Sequence, residues 1–206
     1  MPTKFLLLVF KFRAFSFGAK DREWFKVKTM KIEREVLEPM VGVSREIGFY
    51  LSGWEEVRAE LRNIVSDLSD EELANRILPN AHQIGNLILH LGEAEASWIH
   101  SIVAEKELDE EAKKFAHWCD TTETDFAEKG YSAKVCIERI DKISRISRRI
   151  LADFADEDIE KIYILKKPDK EVHLSLRSIL HHLINHEATH KGQISMLKRL
   201  LRESEN

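Results

Sequence analysis

The stretch His186-Glu187-Ala188-Thr189-His190 sets two imidazoles four residues apart around a carboxylate. On a helix such a pair shares one face, about 6 Å apart along the axis. Both rings can then meet one ion at roughly 2.0–2.1 Å. The neighbouring apolar positions Leu176, Ile179, Leu180, Leu183, Ile194, Leu197 and Leu201 define the inward stripe of this segment. His190 falls within it and His186 on its edge. A single inward histidine is ordinarily a hydrogen-bonded core residue, but two desolvated imidazoles need partners. A shared divalent metal meets that need. His182 lies further out, and His181 points away from the core. His182 and His190 are two turns apart and cannot reach the same ion.

The five residues also match HExxH, in which Glu187 would be the general base of a zinc metalloprotease. Common forms of that site draw a third ligand from further down the chain. The stretch after His190 contains no histidine, and Gln193 stands where the extended form needs glycine. A third ligand must therefore come from an upstream, facing helix. An earlier segment offers His90, Glu93 and Glu95. His90 lies to the side of the apolar stripe of its own helix, so periodicity alone does not choose it. Glu95 falls inside that stripe, either as a competing ligand or as an acceptor for an imidazole N–H.

Four long segments with helical periodicity position these residues. Ile47, Leu51, Trp54, Leu61, Val65 and Leu68 mark the first. Ser69, followed by Asp70, Glu71 and Glu72, reads as an N-cap opening a short turn, and Pro79-Asn80 breaks the chain before the second helix. That helix carries Ile84, Leu87, Ile88, Leu91, Trp98 and Ile102. A polar stretch over about 109–129 follows, with a short helix predicted near Ala112 to Trp118. Gly130 and Ser132 precede the third helix, with Ile137, Ile140, Ser144, Ser147, Leu151 and Phe154 on one face. Ile162 to Leu165 and Val172 to Leu176 flank Lys-Lys-Pro-Asp-Lys and predict a small β-hairpin. The fourth helix runs from about Ser175 to Arg202. The predicted fold is all-α, an antiparallel four-helix bundle in which each helix hides one stripe against the other three. The long link between the second and third helices allows a crossover in place of a tight hairpin.

Composition agrees. The 206 residues suit one well-packed domain, with 43% hydrophobic and 33% charged residues and only 8 Gly and 4 Pro. A net charge of -4 gives no reason to expect nucleic acid as a partner. Cys119 and Cys136 are too far apart for a CxxC site, and a reduced, cytoplasmic setting is the default. Residues 1–29 differ from the rest. Seven basic residues stand there against Asp21 and Glu23, a charge of +5 that leaves -9 for the remainder. Their apolar run, Phe5 to Phe10, is too short to span a bilayer and makes a poor signal peptide. We read 1–29 as a disordered extension or one preceding a natural start at Met30, and 30–206 as the bundle. A basic amphipathic membrane contact is the rival reading.

Two stretches carry a resemblance to a known family. One is Ile84-Gly-Asn-Leu-Ile-Leu-His-Leu-Gly-Glu-Ala-Glu, ending at Glu95. The other is His181-His-Leu-Ile-Asn-His-Glu-Ala-Thr-His-Lys-Gly-Gln-Ile, ending at Ile194. Together the sequence resembles the DinB-like superfamily over about residues 42–203. That family includes metal proteins and thiol-dependent transferases. The resemblance implies a four-helix bundle with a long second-to-third link. It also implies a metal site of one histidine on the second helix and an HxxxH pair on the fourth, here His90, His186 and His190. Zinc and nickel are the ions it implies, and three imidazoles suit either. Some relatives replace one histidine by a carboxylate, which keeps Glu93 and Glu95 open.

Three protein ligands leave a coordination position free. The resemblance implies a low-molecular-weight thiol there, with its pKa lowered for attack on a small electrophile, and pairing of the protein as a homodimer. A hydrolase using metal-bound water is the alternative activity. Glu187 is the candidate proton-transfer residue in either chemistry. A non-catalytic metal-binding stress-response protein, or a plain bundle with structural histidines, would need no activity. Trp98 and His100 are candidates for the site mouth, and Lys191 and Gln193 for contacts to an anionic substrate.

Overall fold

A computed structural model describes residues 36–77, 81–107, 110–113 and 125–204, all within the unit that begins at Val36. Four long helices dominate: α1 (Arg45–Val65), α3 (Ile84–Ala96), α5 (Ala133–Leu151) and α6 (Leu176–Ser204). Two short ones, α2 (Asp70–Ala74) and α4 (Glu110–Lys113), lie between them. The predicted hairpin is present as β1 (Ile162–Lys166) and β2 (Glu171–Ser175), antiparallel, with Tyr163 opposite Leu174. No helix among the described residues is long and apolar enough to cross a membrane.

Local signals act where the sequence placed them. Ser69 and Glu72 form a capping box at α2, and the Ser132 hydroxyl caps α5 by accepting from Val135 N–H. α1 ends earlier than its apolar periodicity, because the turn at Ser66 and Asp67 intervenes; Leu68 is nonetheless buried. The short helix expected near Ala112 to Trp118 covers Glu110–Lys113, and residues 114–124 lie outside the described ones. So do the extension 1–29 and the break at Pro79-Asn80.

The helices do not simply alternate in direction. Arg177 of α6 reaches Glu46 and Tyr50 at the start of α1, while Lys198 reaches Asp67 just past its end. α1 and α6 therefore run parallel. α3 opposes α6, since His90 faces His186 and His190 while Trp98 faces His182. α5 runs with α3: Gly92 packs on Ile140, and Glu95 accepts from Ser144. The order is up, down, down, up. Two successive parallel helices require the connecting chain to travel back along the bundle, the crossover that the long link permits.

Two glycines make the close approaches possible. A β-carbon on Gly85 would lie 2.3 Å from the Phe126 ring, and one on Gly92 would lie 3.1 Å from Ile140. The core has two main apolar clusters. Leu61, Leu73, Ile84, Ile88, Phe126, Ile140 and Ile194 belong to one, and Ile47, Leu51, Ile99, Tyr163, Leu176 and Leu183 to the other. Beyond Ala96 the helix widens into a π-helix over Ser97–Val103, closed by Ala104 N–H donating to Ile99 C=O at 2.9 Å. The wider turn buries His100 and sets Trp98 beside His182, with ring centroids 5.0 Å apart.

Candidate metal site

His90 of α3 meets His186 and His190 of α6 between the two helices. One ring nitrogen from each lies within 4.8 Å of the other two, the one such trio of potential ligands among the described residues. Ring centroids are 5.1 Å apart for His90 and His186, 5.2 Å for His90 and His190, and 4.4 Å for His186 and His190. The Nε2 atoms of His186 and His190 stand 3.1 Å apart. Two nitrogens on one tetrahedral zinc at ordinary bond lengths are separated by about 3.3 Å. The rings therefore already stand at a spacing that an ion can bridge.

Neighbours fix which nitrogen faces inward. Gln193 Oε1 can only accept, so His190 Nδ1 carries the proton in their 2.7 Å hydrogen bond, and Nε2 keeps its lone pair. Glu93 Oε2 lies 3.4 Å from His90 Nδ1 and favours the same tautomer there. Oxygen acceptors on the outer ring nitrogens are the usual support for metal-ligating histidines.

The electrostatics suit a cation ligand set. Burial pushes the His186 imidazole down to about 4, assisted by His190, His90 and His182. Burial also lowers His190, against the opposing effect of Gln193. Both rings are thus neutral, lone pair available, at ordinary pH. All three are only partly buried.

Glu187 and Glu95 occupy a different place. Glu187 is 1% exposed, and its carboxylate faces α1. It accepts from Arg58 Nε at 2.7 Å and Nη2 at 2.5 Å, and also from the Trp54 indole. Arg58 Nη1 donates to Glu95 at 3.0 Å and to Ser144, while the Ser144 hydroxyl donates to Glu95 at 2.9 Å. Burial, and then Glu187, pushes the Glu95 carboxyl up, with Arg58 opposing. Burial also works against the charge of Arg58, but the two carboxylates overcome it and hold the guanidinium protonated. The structure thus brings His90, His186 and His190 together and gathers Glu187 with Glu95 around Arg58. Glu93 stays beside His90. His181 is exposed near Asn185, and His182 lies tilted against Trp98 outside the trio. Lys191 pairs with Glu60.

Sequence reasoning missed Arg58. The signal was there: it continues the stripe of Trp54, Leu61 and Val65, a charge at a core position. It also missed His82, which is close enough to disfavour charge on His190.

A helical bundle with a histidine trio between two of its helices is what the resemblance led one to expect. In fold the chain is similar to a crystal structure of a DinB-like protein from Bacillus cereus ATCC 10987, with a TM-score of 0.56 and 22% identity over 75% of this chain and 92% of that one. The chain belongs to the mycothiol S-transferase family, whose model matches residues 52–203. The superfamily suggested by the two histidine-bearing stretches is thereby borne out. No curated protein matches the chain.

Proposed function

We propose that this protein holds one divalent transition ion, zinc or nickel, through His90, His186 and His190, and uses it to transfer a low-molecular-weight thiol to small electrophiles. The observation that carries this reading is the convergence of three partly buried imidazoles on one point, with burial disfavouring charge on His186 and His190. Membership of a family described by thiol transfer supports the choice of chemistry.

When bound, the ion supplies a Lewis acid that favours the thiolate over the thiol. The three imidazoles provide neutral donors, which leave the centre with its full positive charge. Gln193 and Glu93 hold two of the rings by their outer nitrogens. The partial exposure of the trio admits both reactants. In the transfer a sulfur–carbon bond forms, the thiol proton passes to solvent, and the electrophile loses its leaving group. Glu187 is bound to Arg58 and Trp54, and we assign it no proton transfer.

The test is metal analysis of the purified protein beside His90→Ala, His186→Ala and His190→Ala. One equivalent in the wild type and little in each variant is the expected result. Turnover with a thiol and monochlorobimane, releasing chloride, is expected only with the ion present. Binding without turnover would leave a metal-binding protein. Retention of the ion in the His90 variant alone would move the third ligand to Glu93.

A further inference from the structure

His186 and Glu187 are successive residues, yet they serve two clusters on two sides of α6. Glu187 enters a bidentate ion pair with Arg58 of α1, at 2.7 Å and 2.5 Å. It also takes the Trp54 indole N–H. Arg58 continues to Glu95 of α3 at 3.0 Å and to Ser144 of α5. One guanidinium thus ties all four long helices at a single level. Arg58, Glu95 and Glu187 are each no more than 2% exposed.

The cluster has a directional property that apolar packing lacks. A Leu side chain tolerates a helix turning by some tens of degrees. A planar guanidinium paired with a carboxylate through two parallel hydrogen bonds does not. The Glu187 carboxylate is therefore held at one angle about the α6 axis. Successive helical residues differ by about 100°, so fixing Glu187 fixes the direction of His186, and of His190 one turn on. The same guanidinium holds Glu95 on α3, five residues after His90. Both helices that supply imidazoles are gripped by one side chain.

We infer that Arg58 and Glu187 are positioning residues for the histidine trio, setting the rotation of α6 so that His186 and His190 aim at His90. The metal role of the trio rests on the function proposed above; the aiming of the rings does not. Neither Arg58 nor Glu187 touches the ion. Their effect passes through the helix backbone.

The discriminating variant is the double substitution Arg58→Met with Glu187→Met, which removes both charges of the α1–α6 pair together and leaves Glu95, a carboxyl that burial already pushes toward its neutral form, held by Ser144. Three readouts are taken: thermal unfolding without metal, cobalt(II) affinity from the visible absorption of the ion, and nuclear Overhauser effects among the rings of His90, His186 and His190 in metal-free protein. The expected result is a folded protein with cobalt affinity weakened at least tenfold and no Overhauser effect between the rings. Affinity within twofold of wild type, with the inter-ring effects intact, overturns the inference. So does an affinity loss no larger than the fraction unfolded explains. If the double variant does not fold, Glu187→Gln takes its place. It keeps the shape and the Trp54 acceptor but breaks the charged pair, and the same criteria apply. A wild type that binds neither cobalt nor zinc nor nickel overturns the metal reading, while the inter-ring effects still decide the positioning role.

Discussion

Two polar clusters meet one turn of α6 on adjacent faces, and they differ in how their members are partnered. In the Arg58 cluster each charge has its partner: the guanidinium donates to two carboxylates and a hydroxyl, away from water. In the histidine cluster the outer nitrogens of His90 and His190 face acceptors, and the inner ones converge on one another. Buried polar groups that satisfy each other behave as part of the framework. Ring nitrogens that converge while staying partly exposed are a candidate site. HExxH contains one residue of the first kind between two of the second.

The largest effect should come from breaking the closed cluster. Arg58→Ala leaves two carboxylates buried without their cation, and urea unfolding of the metal-free protein is expected to show a loss of about 3–5 kcal/mol. His186→Ala, measured alongside, should cost far less, because the ring is partly exposed. Equal losses would erase the distinction between the two regions.

Next in size is ligand linkage. Zinc at a hundred times its dissociation constant should raise stability by about 2.7 kcal/mol. The gain should vanish in His190→Ala, as read by thermal shift with and without chelator. Gln193→Leu is expected to weaken metal affinity by about tenfold, since the His190 tautomer is no longer held. Its metal-free stability should stay near that of the wild type.

The smallest effect is on pH. The folded-state value of His186, about 4, lies below that of an ordinary histidine. Between about 4 and 6.5 the unfolded chain therefore binds more protons than the folded one. The contribution is fully present above about 6.5 and is lost as pH falls through 4. Solvent screening at this half-exposed ring keeps it modest. Metal-free His186→Asn should show a flatter stability profile across that window. The Arg58 cluster offers no counterpart from histidine.

How much of this could be read beforehand follows from what each feature depends on. The long helices and the hairpin were legible because apolar spacing and capping residues such as Ser69 and Ser132 are local signals. The pair His186 and His190 was legible because its spacing lies within one helix. The convergence of His90 upon it was not, since that depends on how α3 sits against α6. His90 came instead from family resemblance. The reversal of direction between helices was also hidden: a stripe shows which face is buried, not which way the neighbour runs. Glu187 shows the limit most clearly. Its place in HExxH suggested a base, whereas its burial beside Arg58 depends on a side chain 129 residues away.

The up, down, down, up order has a consequence for the newly made chain. α1 and α6 are neighbours, joined by contacts such as Glu60 with Lys191, 131 positions apart. His90 and His186 are likewise separated by about a hundred residues. Contacts this distant in sequence close slowly, because a large loop must be ordered first. During synthesis the first three long helices can assemble, but the centre has one imidazole until α6 has emerged and docked. On the function proposed above, capture of an ion would therefore be among the last events of maturation, and a chain arrested before α6 would have no such centre to fill.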